Sequence, residues 1–152
     1  MDIARWVERT VGPRLLKAHE AILVRTNGVV GHRIPVPGVP PSLILHSVGA
    51  KTGTPRINVL SYFPDGGHYY IVASKGGSPT APGWYHNLKA HPDTRIQVGT
   101  RERAVIATPV LDDDPDYARL WEMVNRRNSN RYNDYQRRTT RTIPLVRLTP
   151  TA

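Results

Sequence analysis

The chain has 152 residues, no cysteine and a formal net charge of +9. That length suits one domain with a hydrophobic core. The lack of cysteine excludes disulfides, thiolate metal sites and a cysteine nucleophile, and fits a reducing, cytoplasmic setting. The charge calls for an anionic partner, whether nucleic acid, a membrane surface or an acidic ligand.

The first segment places Ile3, Val7, Val11, Leu15, Ile22 and Leu23 at helical spacing, with Arg5, Arg9, Arg14 and Lys17 on the opposite face. Gly12-Pro13 interrupts it, and Pro13 suits the first turn of a second helix. Residues 1–25 are therefore expected to form an amphipathic helical segment packed on the domain. Its basic face makes it a candidate for peripheral membrane contact. The longest apolar run, Ala21 to Val24, is far short of the roughly 20 residues that cross a bilayer. No signal-peptide pattern is present.

Residues 26–42, with three glycines and four prolines, predict a loop. Strand signals follow. Ser42–Val48 is a short apolar run, and Arg56–Phe63 alternates. Asp65-Gly66-Gly67 is a hairpin turn, and Tyr69–Ser74 is the returning strand. Trp84–Ala90 reads as a short helix ended by His91-Pro92. Thr94–Val98 and Arg103–Val110 pair around Gly99-Thr100. Asp114 is the expected N-cap of the next helix, with Pro115 in its first turn and Leu120, Trp121 and Val124 on its buried face. Asn125–Arg131 is too polar to extend that helix, and Ile143–Leu148 is a last strand. About six short strands with hairpin connections and a few helices predict a small antiparallel barrel, mainly β with flanking helices, in a single domain spanning residues 1–152.

The familiar catalytic signatures are missing. No G-x-G-x-x-G, Walker loop, H-E-x-x-H or nucleophile elbow occurs. What remains is a pair of cationic turns around the central hairpin. "GAKTGTPR" sets Lys51 and Arg56 about a glycine turn, and "SKGG" sets Ser74 and Lys75 after the returning strand. Glycine lets backbone N–H groups approach an anion, and the lysines add charge. The aromatic pair Trp84-Tyr85 follows closely. With no aromatic-interleaved basic patch or reading-helix motif, the charge does not point to nucleic acid.

At "GAKTGTPRINVL", "DGG", "VASKGGSPTAPGWYHNLKAHPD" and "YNDYQRRTTRTIPLVRL" the chain resembles the deazaflavin (coenzyme F420)-dependent nitroreductase family of actinobacteria, from about Pro41 to Leu148. The resemblance implies a split β-barrel, the fold also used by FMN-binding, pyridoxamine-phosphate-oxidase-like proteins. It implies an oxidoreductase passing hydride from reduced coenzyme F420 to an electron-poor small molecule such as a quinone, an activated enone or a nitro compound. The family's cofactor residues match Lys51, Thr52, Arg56, Ile57, Asn58, Ala73, Ser74, Lys75, Gly76, Trp84, Tyr85 and Asn87. Its acceptor-side residues match Tyr132 and Tyr135, with Ser74 a further donor to the acceptor oxygen; these three are the candidate catalytic residues. Ala50, Ser61 and Ser129 depart from some relatives. No metal is implied, and the assembly is expected to be a monomer or homodimer. The alternatives are an FMN-binding reductase of the same fold and a non-catalytic deazaflavin carrier.

Overall fold

The computed structural model describes residues 12–26 and 38–151. Ile3, Arg5, Val7, Arg9 and Val11 lie outside the described residues, as do the side chains of Arg14 and Leu15. The expectation of an amphipathic, membrane-facing segment therefore falls mostly beyond them. Helix α1 (Gly12–Arg25) buries Leu23, whereas Ile22 and Val24 are exposed. Among the described residues no helix is long and apolar enough to cross a membrane.

Seven strands form one antiparallel sheet: β1 (Ser42–Val48), β2 (Pro55–Ser61), β3 (Phe63–Asp65), β4 (His68–Val72), β5 (Asp93–Val98), β6 (Arg101–Val110) and β7 (Leu145–Pro150), in the order β2-β1-β5-β6-β7-β4-β3. The two edge strands are nearly one stretch of chain. Residues 55–61 pair with β1, from Ser61 opposite Ser42 to Pro55 opposite Val48. At Tyr62, whose N–H donates to the Pro41 carbonyl at 3.0 Å, the chain bends and carries on as β3 against β4. A single bent segment thus belongs to both edges, which curls the sheet into a split barrel and leaves little open edge. The alternation over Arg56–Phe63 predicts one strand; the bend makes it two, hence seven strands rather than six.

Two core clusters pack on the sheet, although β2 stays exposed or half-buried and β6 alternates exposed and buried residues. Along β4, Ile71 joins a cluster with Leu43, Leu45, Leu88, Ile96 and Leu148, while Tyr70 and Val72 join Phe63, Leu120, Val124, Tyr132 and Leu145. Helix α2 (Gly83–Ala90) supplies Trp84, Tyr85 and Leu88 to the first cluster. Helices α3 (Tyr117–Arg127) and α4 (Arg131–Arg137) cover the second. The β3–β4 loop is Gly66-Gly67, both at positive φ (57° and 82°), as a type I′ hairpin requires.

Strand β4 ends at Val72 rather than Ser74 and β7 runs from Leu145 to Pro150 rather than from Ile143 to Leu148, and two helix boundaries also differ from the sequence expectation. Asp114 does not cap α3. Its Oδ1 accepts the Asp116 N–H at 2.9 Å in a local side-chain turn, and the helix starts two residues beyond Pro115, at Tyr117. Helix α3 also runs on to Arg127. Asn125, polar but buried, is fully used there: its Nδ2 donates to the Trp121 carbonyl and its Oδ1 accepts the Asn133 N–H, both at 2.8 Å. The turn into α4 then needs Ser129 and Asn130 at φ 54° and 59°.

Candidate functional site

A cleft of about 1180 Å³ lies between the β1–β2 turn, strand β2, the segment after β4 and the start of α2. Among the described residues Lys51, Arg56 and Lys75 line it, with His86, and no carboxylate does. Its apolar wall is made by Ile57, Leu60, Val72, Pro82 and Trp84. Ile57 is 53% exposed although it belongs to a regular strand. An isoleucine left in water on a cleft wall, beside cations with no acid among the described lining residues, suits a ligand with an apolar body and anionic groups.

Local chemistry builds each wall. In the first turn the Gly49 N–H donates to the Thr54 carbonyl at 2.8 Å and the Gly53 N–H to the Gly49 carbonyl at 2.9 Å. The Ala50 N–H donates to Asn87 Oδ1 at 2.9 Å, which ties this turn to α2 across 37 residues. The second turn is a short 3-10 element, Lys75–Gly77, in which all three residues are left-handed, at φ 45°, 63° and 83°. Two of them are glycines, for which that conformation costs little; Lys75 is not. A methyl group at Gly77 would collide with the Tyr135 carbonyl of α4, so the turn and that helix are packed backbone to backbone.

Of the residues expected at the cofactor, Lys51, Thr52, Arg56, Ile57, Asn58, Ser74, Lys75, Trp84 and Asn87 meet at this one cleft. Ala73, Gly76 and Tyr85 are not among its lining residues, and Gly76 is exposed. Ala73 and Tyr85 are in the first core cluster, where burial pushes the Tyr85 hydroxyl's pKa up against the opposing charge of Arg141. Tyr132 is buried in the second cluster, edge-on to Phe63 at 5.9 Å and to Tyr135 at 6.1 Å. Tyr135 is half-buried under the Arg138 guanidinium, 5.3 Å from the ring centre. Neither tyrosine lines the cleft, but their helix abuts the Lys75 turn that does. Of the departures, Ala50 lines the cleft, whereas Ser61 ends β2 and Ser129 sits in the α3–α4 turn.

Sequence reasoning missed His86 and the apolar members Leu60, Val72 and Pro82, which carry no signal beyond core or loop. It also missed Arg141. That arginine donates from Nε to the Ser78 carbonyl at 2.9 Å and from Nη2 to the Ser74 and Ala73 carbonyls at 2.9 and 3.2 Å. In the sequence it is one more basic residue in "RRTTR".

Comparison with known proteins bears on the family and the fold. The profile of the F420H(2)-dependent quinone reductase family matches residues 15–150. An F420H(2)-dependent quinone reductase of Mycobacterium tuberculosis is 60% identical over 149 residues, covering 98% of this chain and 99% of that one. A solved F420-H2 dependent reductase superposes with a TM-score of 0.63 at 31% identity, over 71% of this chain and 93% of its own. A second solved relative, a domain-swapped dimer, gives a TM-score of 0.65 at 25% identity over 90% and 98% of the two chains. With its split barrel, its cationic cleft and this likeness over nearly its whole length, the chain belongs to the F420H(2)-dependent quinone reductase family, a family of oxidoreductases whose cofactor is coenzyme F420.

Proposed function

We propose that this protein binds reduced coenzyme F420 in the cleft beside β2 and delivers its hydride to a quinone. The observation that carries the reading is the cleft lining, which among the described residues sets three cations and no carboxylate beside an apolar wall on which Ile57 is exposed. The deazaflavin has a matching constitution, with a phosphodiester and a glutamate tail on a planar ring. When bound, the cofactor supplies the hydride; the protein's part is position, exclusion of water and hydrogen bonding. Lys51, Arg56 and Lys75 would hold the anionic groups, and Ile57 and Trp84 would face the ring. Ser74, buried two residues past the end of β4 and part of the lining, is the residue we assign to donate to an acceptor oxygen. We assign Tyr135 to the acceptor side, with Tyr132 as the packing that supports it.

Activated enones and nitro compounds share the electron-poor, oxygen-bearing character of quinones, and we include them as slower acceptors. We also infer a monomer or homodimer, the dimer supported by the domain-swapped relative. The test is steady-state oxidation of reduced F420 with a quinone, an enone and a nitroarene in parallel. We expect quinone turnover with the highest kcat/KM. Tight F420 binding without turnover of any acceptor would identify a carrier instead, and preferential binding of FMN would overturn the cofactor assignment.

A further inference from the structure

We propose that Arg141 is the positioning residue of this site: its guanidinium clamps the carbonyls on both sides of the left-handed Lys75–Gly77 stretch and so holds Lys75 at the cleft for an anionic ligand. The inference rests on the F420 reading above and deepens it.

The clamp is anchored at both ends. Its backbone is held from α4, where Gln136 Nε2 donates to the Arg141 carbonyl at 2.7 Å and Gln136 Oε1 accepts the Ile143 N–H at 3.0 Å. Its head reaches 63 to 68 residues back along the chain. There it bonds the carbonyls of Ala73 and Ser74, before the turn, and of Ser78, after it. A planar guanidinium spreads five N–H donors over three nitrogens in fixed directions and so reaches three separated carbonyls, whereas an ammonium gathers its three donors on one atom. The turn needs such a restraint. Lys75, a residue with a Cβ, sits at φ 45°, and its neighbours are two glycines with the widest conformational freedom in the chain. The internal bonds of the turn are few: the Gly77 N–H to the Ser74 carbonyl at 2.9 Å and the Ser78 N–H to the Lys75 carbonyl at 3.1 Å.

The charge of the clamp has a second consequence. Among the described residues no carboxylate pairs with Arg141. Its positive charge is felt at the Tyr85 hydroxyl and stands directly behind a cleft lined by three further cations. Carbonyl dipoles solvate the guanidinium without cancelling its field, so Arg141 shapes the turn and also adds to the potential that draws an anion. The same side chain couples α4, which carries Tyr135, to the turn that carries Lys75. Arg138, at the end of α4, also donates to the Gly76 carbonyl at 3.4 Å, so a change on the acceptor side can reach the cofactor side through both arginines.

The experiment compares Arg141→Met, Arg141→Lys and the parent, each with and without Lys75→Ala. One arm uses no ligand: site-resolved amide hydrogen exchange at residues 74–78 and in strands β4 and β7. In Arg141→Met we expect the Gly77 and Ser78 amides to exchange about ten-fold faster or more, as loss of one or two hydrogen bonds implies. Amides at Ile71 and Val146 should be unchanged. The other arm titrates F420 by fluorescence. Arg141→Met should weaken binding on the order of ten-fold, and Lys75→Ala should then add little, because the lysine is no longer held in place. Arg141→Lys should recover part of both effects. Parent-like exchange at 74–78, uniform acceleration of all amides, or a full Lys75→Ala loss in the Arg141→Met background would each overturn the proposal. If the parent itself does not bind F420, the functional reading falls and the exchange arm alone judges the clamp.

Discussion

Asn87 does two jobs at the scale of the single residue: it lines the cleft and its Oδ1 accepts the Ala50 N–H, fixing the first cationic turn. The two roles separate by substitution. Asn87→Asp keeps an acceptor for the Ala50 N–H but places a negative charge among Lys51, Arg56 and Lys75. We expect a nearly unchanged melting temperature and F420 binding weakened several-fold, since a like charge a few ångströms from an anion costs about 1 kcal/mol or more near a surface. The loss should shrink at high salt. Equal affinity for parent and variant at low salt would mean that the anion does not lie near this end of α2. Much of this residue-level picture was legible in the sequence. A lysine in a glycine-bearing turn, twice, flanking one hairpin, is a local pattern with a local cause, and nine of the expected cofactor residues line one cleft. Arg141 was not legible, because its role is set by partners more than sixty residues away and nothing local distinguishes it from a solvated charge.

Helices α3 and α4 form an aromatic layer at the scale of the element. Tyr117 stacks on Trp121 at 5.8 Å, Trp121 meets Tyr132 at 6.4 Å, and Tyr132 meets Tyr135 at 6.1 Å. The spacing of Tyr132 and Tyr135 shows that they share a helix side, but not which of them is core. The answer came from packing: Tyr132 is buried against Phe63 and Tyr135 is half-open. Tyr132→Ala should therefore destabilise the fold by about 3–5 kcal/mol, as large aromatic truncations in cores do. Tyr135→Ala should cost less stability and act mainly on the acceptor KM. Urea unfolding paired with quinone kinetics checks both; a Tyr132→Ala protein as stable as the parent would contradict the packing. The layer also predicts a pH response. Burial pushes the Tyr117 pKa up to about 12 and raises that of Tyr132 further, with the charges of Asp112 and Tyr135 adding to the respective shifts. Both phenols hold their protons in the folded state beyond the unfolded value near 10, so the folded chain binds more protons in that window. Their stabilising contribution is complete below about pH 10 and is lost as pH rises towards 12 and beyond. Urea unfolding at about pH 9 and about pH 11 should show the fall. Tyr117→Phe should flatten it, at the cost of the 2.7 Å bond to the Ile143 carbonyl; a slope unchanged in that variant would assign the fall elsewhere.

The barrel closes because residues 55–65 serve both edges of the sheet, and at the scale of the whole molecule this sets where the site lies. The cleft opens beside that bent segment, and strand β2 contributes Arg56, Ile57 and Asn58 to it. The antiparallel barrel was readable from strand periodicity and hairpin turns. The closure was not, because periodicity marks a strand without naming its neighbours. The net charge of +9 is likewise a property of the whole chain, yet among the described residues cations line one cleft without a carboxylate. If Coulomb attraction to the tail of the deazaflavin supplies much of the affinity, preference for F420 over FMN must depend on ionic strength. F420 brings a phosphodiester and several glutamate carboxylates, whereas FMN brings one phosphate. Screening at about 0.5 M salt, where the Debye length falls to roughly 4–5 Å, should therefore weaken F420 more than FMN. Parallel fluorescence titrations at about 20 mM and about 500 mM salt test this. We expect the ratio of the two dissociation constants to narrow several-fold across that range. A ratio that stays constant while F420 remains the tighter ligand would show that the ring, held against Ile57 and Trp84, makes the choice and that the cations serve some other anion.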